Sequence, residues 1–450
     1  MKIKSIDMTS GSIMRGMIGL TMPIMIMNVA QSLFNLLDIA LLKFFGFERS
    51  VGAVGACGVL ITLCTSLLIG IAAGANVVVA RHVGAEQKNR AEAAITTSLL
   101  FSVMGGLVLL LIGSVFARDF LVLTNCHYTL LDDAALYLTI YFYGTPVLML
   151  YNFSAAMLRA LGDTKRPMLF LFIGWICKLI VTVTLIKTTG KAIESVAIAT
   201  FVSNSVACLL SVLALIKNKT KVDIDIRKLH FDITELKSIL YNGIPAGAQS
   251  ALYSFANVII TATVNSFGAD ATTGIAIANQ YDGILYHISY APSLAAVPFV
   301  AQNIGARNIK RAKKALLCGV IITVAFGASL GALSAIFASE LSYIVSSSPT
   351  VVAYSVQKMI IVSSTYFICG INEVLGGALK GMGKPIAPAV TSLFYMCILR
   401  FIWVYFIFPY CPNLTFLYLV WPIGWVLSII TLSFVFWRTV SEYKKKELAV

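Results

Sequence analysis

Gly84-Ala85-Glu86-Gln87-Lys88-Asn89-Arg90-Ala91 returns in the second half of the chain as Gly305-Ala306-Arg307-Asn308-Ile309-Lys310-Arg311-Ala312. A second stretch keeps the same offset: Leu158-Arg159-Ala160-Leu161-Gly162 becomes Leu379-Lys380-Gly381-Met382-Gly383. Pro23 and Pro245, separated by one position more, sit in the helix that opens each half. Repetition at a fixed period decides architecture before local propensity is weighed, and here it makes the chain two copies of a unit of about 220 residues.

The solvent of both copies is lipid. Hydrophobic residues make up 58% of the chain and charged ones 12%, and the mean hydropathy is +0.87, far from the balance of a soluble domain. Apolar runs able to cross roughly 30 Å of hydrocarbon lie at 16–42, 55–80, 94–117, 136–158, 168–187 and 193–216. Six more lie at 239–266, 273–303, 315–338, 355–379, 389–409 and 416–437. In lipid every backbone group needs an internal partner, and these runs lack the alternation of a barrel strand, so all twelve are expected as helices. The apolar stretch after the basic start 1–15 is too long for a cleaved signal and is expected to remain as the first helix. The fold expected is therefore an all-α integral membrane protein: a six-helix lobe over residues 1–216, a polar linker over 217–238 and a second six-helix lobe over 239–450.

Basic residues orient the helices. With the N-terminus in the cytoplasm, 26 Lys and Arg fall on the cytoplasmic side and only 5 outside, so both termini are expected inside. The formal net charge of +14 then reflects basic loops beside a bilayer, and no nucleic-acid partner is expected. An even number of spans per unit makes the repeats parallel, related by an axis along the membrane normal. A cleft between two such bundles suits a solute path. No P-loop is present, since Gly383-Lys384 runs into Pro385, and no HExxH or Gly-x-Ser-x-Gly occurs. Enzymatic hydrolysis is not expected, and uphill movement would need an ion gradient. The nine cysteines form no CxxC or Cys/His pattern, so neither metal nor cofactor is expected; Cys126 and Cys411 fall in outer loops of different halves.

Several motifs, in order along the whole chain, carry a resemblance. They are Leu20-Thr-Met-Pro23, Gln31-Ser-Leu-Phe-Asn35-Leu-Leu-Asp38, Leu158-Arg-Ala-Leu-Gly-Asp163, Gly243-Ile-Pro-Ala-Gly-Ala-Gln249, Gln302-Asn303-Ile-Gly305-Ala306, Gly370-Ile-Asn-Glu373-Val-Leu-Gly-Gly377-Ala-Leu-Lys-Gly381 and Trp421-Pro-Ile-Gly-Trp425. Together they resemble multidrug and toxic compound extrusion (MATE) transporters. The resemblance implies two six-helix lobes forming a V, alternating access, and export of mostly cationic or amphipathic compounds against protons or sodium ions. It implies a bacterial-type cytoplasmic membrane, and a monomer acting on small molecules is expected.

Ionisable groups inside a span cost about 2.5–3.5 kcal/mol each on insertion scales, so each asks for a partner, a cavity or a function. Asp38, Lys178, Asp282, Glu373 and Arg400 are read as such groups. Asp38 matches the first-helix aspartate that the resemblance connects with ion coupling. Relatives with an ion site in the first lobe carry Asn and, four residues on, Asp in the fifth span; here those positions are Lys178 and Thr182, and the oxygen ligands for sodium are missing. Lys178 lies too deep to snorkel, and Asp38 is the one carboxylate buried in the same lobe, so the two are expected to pair and to make the coupling ion a proton. In the second lobe Asp282 and Glu373 are expected to hold a cationic solute or carry a proton. Asn35, Asn152, Tyr286 and His287 are further candidates for substrate contact, with tyrosines offering cation–π faces. Pro23, Pro245 and Arg400 are assigned structural roles, Arg400 anchoring the eleventh helix.

The reading is a proton-driven multidrug antiporter. Two alternatives stand beside it: a flippase for a lipid-linked precursor, which would need a basic cavity, and a sensor or scaffold without transport.

Overall fold

A computed structural model of the chain describes all residues except 1–4, 125, 218–221, 223, 225–229 and 449–450; within helices it leaves out the side chains at 35, 36, 39, 48, 49, 59, 254, 255, 258 and 446–448. Among the described residues the structure is helical without strands. In chain order the helices are α1 (Ile13–Phe44), α2 (Glu48–Gly84), α3 (Lys88–Leu123), α4 (Tyr128–Tyr143), α5 (Thr145–Ala160), α6 (Lys165–Thr189), α7 (Ala192–Ile216) and α8 (Ile233–Asn265). They continue with α9 (Ala269–Gly305), α10 (Ile309–Ile336), α11 (Ala338–Val345), α12 (Pro349–Val362), α13 (Tyr366–Gly381), α14 (Ile386–Ser392), α15 (Leu399–Ile402), α16 (Leu414–Tyr418) and α17 (Val420–Leu448). Each of the twelve expected apolar runs lies on helix. Ten helical stretches are long and apolar enough to cross a membrane, and α4 with α5, bent by 51° at Gly144, makes an eleventh. The remaining run falls on α8, 33 residues long.

The sequence repeat is a repeat of backbone geometry. Glu86 and Arg307, equivalent in the two copies, both take left-handed φ, 58° and 56°. In each copy the same hydrogen bond closes the helix end: Gln87 N donates to His82 O at 2.9 Å and Asn308 N to Asn303 O at 2.8 Å. The second repeated stretch behaves alike, with Gly162 at φ 87° and Gly383 at 74°. There Asp163 N reaches Leu158 O and Lys384 N reaches Leu379 O, both at 2.9 Å. Glycine allows this left-handed turn without a Cβ penalty.

By contacts the chain divides into two compact units, one of residues 1–6 and 30–247 and the other of 7–29 and 248–450. Each of α1 and α8 therefore gives one part to each unit, and the division falls a few residues beyond Pro23 and Pro245, both inside continuous helices. Of the expected 217–238 linker, residues 218–221, 223 and 225–229 lie outside the described residues. Its described end is tied to α3, where Asp232 N donates to Thr97 Oγ1 at 2.9 Å. Asp232 then opens α8, and the N–H groups of Glu235 and Thr234 hold its carboxyl below the usual range.

Within the first unit the start of α8 packs backbone to backbone on α2. A Cβ on Gly70 would stand 2.2 Å from Gly247 N, and one on Gly74 would stand 2.4 Å from Gly243 N. These four glycines form two small-xxx-small stripes, the device that lets helices approach where lipid supplies no hydrophobic drive. The core of this unit gathers on Phe142, Leu138 and Leu121, and that of the second on Tyr418, Leu417 and Trp403.

Candidate functional site

In the first unit Asp38 on α1 faces Lys178 on α6, and Lys178 Nζ donates to Asp38 Oδ2. The side chains are 20% and 15% exposed, so the pair is sheltered but within reach of water. Trp175, one turn before Lys178, stacks on Phe34, one turn before Asp38, at 4.5 Å. Thr182, one turn beyond Lys178, is buried, and among the described residues its hydroxyl has no hydrogen-bond partner. The Asn35 side chain lies outside the described residues. Asn152 turns back on α5, donating to Leu148 O at 2.9 Å.

The second unit encloses a cavity of about 530 Å³, the size of a drug-like ligand site. Asp282, Tyr286, Glu373 and Arg400 from the sequence reading all line it, whereas His287 does not. Asp282 and Glu373 are not two free carboxylates. Lys358 on α12, three per cent exposed, meets Asp282 Oδ2 at 2.9 Å and also donates to Asn279 Oδ1. The 3₁₀ turn Ser363–Thr365 between α12 and α13 brings Ser363 Oγ to Asp282 Oδ1 at 2.7 Å. Both oxygens of Asp282 are engaged by protein. Glu373 accepts from the Tyr253 hydroxyl at 2.9 Å, and its backbone carbonyl accepts from Ser293 Oγ at 2.7 Å.

Arg400 sits in α15, flanked by two π-helical segments, Leu393–Ile398 and Trp403–Ile407. Such bulges change the face a residue presents and cluster at functional sites. The residue is 4% exposed, with Nη1 donating to Asn257 Oδ1 at 2.7 Å. Its guanidinium lies 5.2 Å from the Trp421 ring centre, and Lys358 Nζ lies 5.7 Å from the same ring. The structural anchor expected of Arg400 is also a cavity wall.

Lys358 escaped the sequence reading. It lies one turn inside the 355–379 run, in no basic loop, and that position was the signal available. Tyr253, Asn257 and Trp421 carry no charge anomaly and become visible only when α8, α15 and α17 converge. Tyr281, on the same helix as Tyr286, points elsewhere, donating to Leu341 O at 2.8 Å. All nine cysteines are free thiols.

The sequence model of the MatE family matches residues 23–184 and again 245–406, two stretches that open on Pro23 and Pro245 and so keep the register of the repeat. The probable multidrug resistance protein YoeA of Bacillus subtilis is 27% identical over 391 residues, covering 85% of this chain and 84% of that one. The FAD transporter of Shewanella oneidensis is 26% identical over 391 residues, covering 85% and 86%. The crystal structure of MATE in complex with MaL6 superposes with a TM-score of 0.91 over 99% of this chain and 100% of that one at 20% identity. A twofold match of the family across both halves, on a multi-pass helical fold with its repeat written into the backbone, places this chain in the MatE family of membrane transporters, which are not enzymes.

Proposed function

We propose that this chain is a secondary active exporter of amphipathic small molecules, working by alternating access and driven by protons across a bacterial-type cytoplasmic membrane with both termini inside. The observation that carries the reading is the Lys178–Asp38 pair. A tethered ammonium occupies the place of a metal and leaves a carboxylate whose charge is met by the protein itself. Protonating Asp38 removes the attraction and frees Lys178; losing that proton restores the pair. Lys178 and Thr182 stand in place of the amide and carboxylate oxygens that the resemblance implies for a sodium site. One relative is named for multidrug resistance and the other for transport of FAD, and an organic solute is common to both names. Tyr286, Glu373 and Arg400 stand where such a solute would touch the second unit.

The test is transport in proteoliposomes with an imposed proton or sodium gradient and a panel of amphipathic dyes. A proton gradient is expected to drive dye movement, and Asp38→Asn to abolish it. Strong sodium stimulation at fixed pH would refute proton coupling, as would Lys178→Ala with an unchanged pH dependence. The flippase reading is favoured by one observation, the presence of Lys358 and Arg400 in the cavity wall; movement of a polyprenyl phosphate with no movement of any dye would establish it.

A further inference from the structure

We infer that the cavity of the second unit is a binding site for an amphipathic organic anion, a planar aromatic body bearing a carboxylate or phosphate that Arg400 receives. The inference rests on the transport reading for its biological meaning, but binding at the cavity requires no gradient and is measured separately from transport.

The charges of the wall carry the argument. Asp282 is answered by Lys358 at 2.9 Å and by Ser363 at 2.7 Å, so both of its oxygens are already engaged and its charge is met. Glu373 accepts from the Tyr253 hydroxyl at 2.9 Å, and the Lys380 ammonium lies near enough to offset its charge. Arg400 is the cation that remains. Among the described residues no carboxylate comes within ion-pair distance of it, and its hydrogen bonding is one contact with Asn257 at 2.7 Å. A guanidinium has five N–H donors, so four stay unspent on a side chain only 4% exposed. Burying a charge without a counter-charge is costly, and the planar fork of arginine matches a carboxylate or phosphate in two parallel hydrogen bonds.

Aromatic rings complete the complementarity. Trp421 covers Arg400 at 5.2 Å, Trp425 and Tyr366 lie 5.5 Å apart, and Tyr286 stacks on Tyr290 at 5.4 Å. Trp421, Trp425, Tyr366 and Tyr286 all face the cavity. They offer a flat apolar body a slot beside the guanidinium. A cationic solute of the same shape would meet an unpaired positive charge and a neutralised Asp282.

Three probes of one shape test this: 9-anthracenecarboxylate, 9-(aminomethyl)anthracene and the neutral 9-anthracenemethanol. Binding to the full-length protein in lipid nanodiscs is read from quenching of tryptophan emission, two of the quenched tryptophans lying in the cavity wall. The carboxylate is expected to bind at least tenfold more tightly than the amine, with the carbinol between them. Arg400→Gln is expected to remove that preference, and Glu373→Gln, which takes a negative charge from the same wall, to widen it. Should Arg400→Gln fail to fold, Asn257→Asp supplies Arg400 with an internal carboxylate and is expected to remove the preference equally. Amine binding as tight as carboxylate binding, or carboxylate binding unchanged in both Arg400→Gln and Asn257→Asp, overturns the assignment. Competition by farnesyl phosphate but not by 1-naphthoate would trace the anion to a lipid source, and the reverse result to a soluble one. Failure of these binding tests leaves proton-driven dye transport standing, and failure of transport leaves the binding result standing.

Discussion

At the scale of single residues, two ion pairs in lipid-spanning helices differ in depth. Lys358 and Asp282 are 3% and 7% exposed, Lys178 and Asp38 15% and 20%. Removing one partner of a buried pair leaves an uncompensated charge, at about 3–5 kcal/mol when fully buried. Lys358→Met is therefore expected to cost close to that amount in thermal unfolding. The additional change Asp282→Asn should recover a substantial part, because a neutral amide still accepts from Ser363. Lys178→Met is expected to cost less, about 1–2 kcal/mol, since water already reaches the pair and screens it. A Lys358→Met protein as stable as the wild type would refute a stabilising role for the pair. The Asp38–Lys178 pair was legible in the sequence because depth rules out snorkelling and only one carboxylate lay in reach. Lys358 was not, since a lysine one turn inside a span looks like an interfacial residue until Asp282 is placed opposite it.

At the scale of the helices, glycine stripes decide how close α2 and the start of α8 come. A methyl group at Gly74 would meet the backbone of Gly243 at 2.4 Å, and backbone has no rotamer with which to yield. Gly74→Ala is expected to lose about 1–3 kcal/mol of stability, the range for overpacking. Gly55→Ala, on the same helix with nothing within 4 Å of its Cβ, is expected to be neutral or slightly stabilising through helix propensity. Equal unfolding temperatures for the two variants would count against the close packing. The π segments on either side of Arg400 belong to the same scale. Nothing in the composition of 393–407 announces them, because a π turn differs from an α turn by one residue and its cost is met by tertiary packing.

At the scale of the whole chain, charge asymmetry predicts orientation. A cysteine at Lys217 is expected to react with an impermeant maleimide only from the cytoplasmic side, and one at Asp270 only from outside; both positions are exposed. Labelling measured above the level of the native thiols checks this, and the reverse pattern would refute the inward termini. The contact units, by contrast, cut α1 and α8 within their lengths. No break in hydropathy marks those points, since lipid demands apolar residues on both sides of the division, and only Pro23 and Pro245 lie near it.

The sequence alone determined that the chain is helical, lies in a membrane and is duplicated, because burial of backbone in lipid and the echo of one half in the other are written in residue order and need no tertiary contact. It also determined that Asp38, Lys178, Asp282, Glu373 and Arg400 needed an explanation, because a charge in a span is costly wherever it points. Which charge meets which was decided only by the tertiary structure. Asp282 and Lys358 come from different helices, α9 and α12, as do Asn257 and Arg400, from α8 and α15, and no local period relates either pair. A carboxylate that reads as a ligand for a cation becomes half of an internal pair, and an arginine that reads as an anchor becomes the open charge of the cavity. Pairing depends on distances across helices, which packing sets.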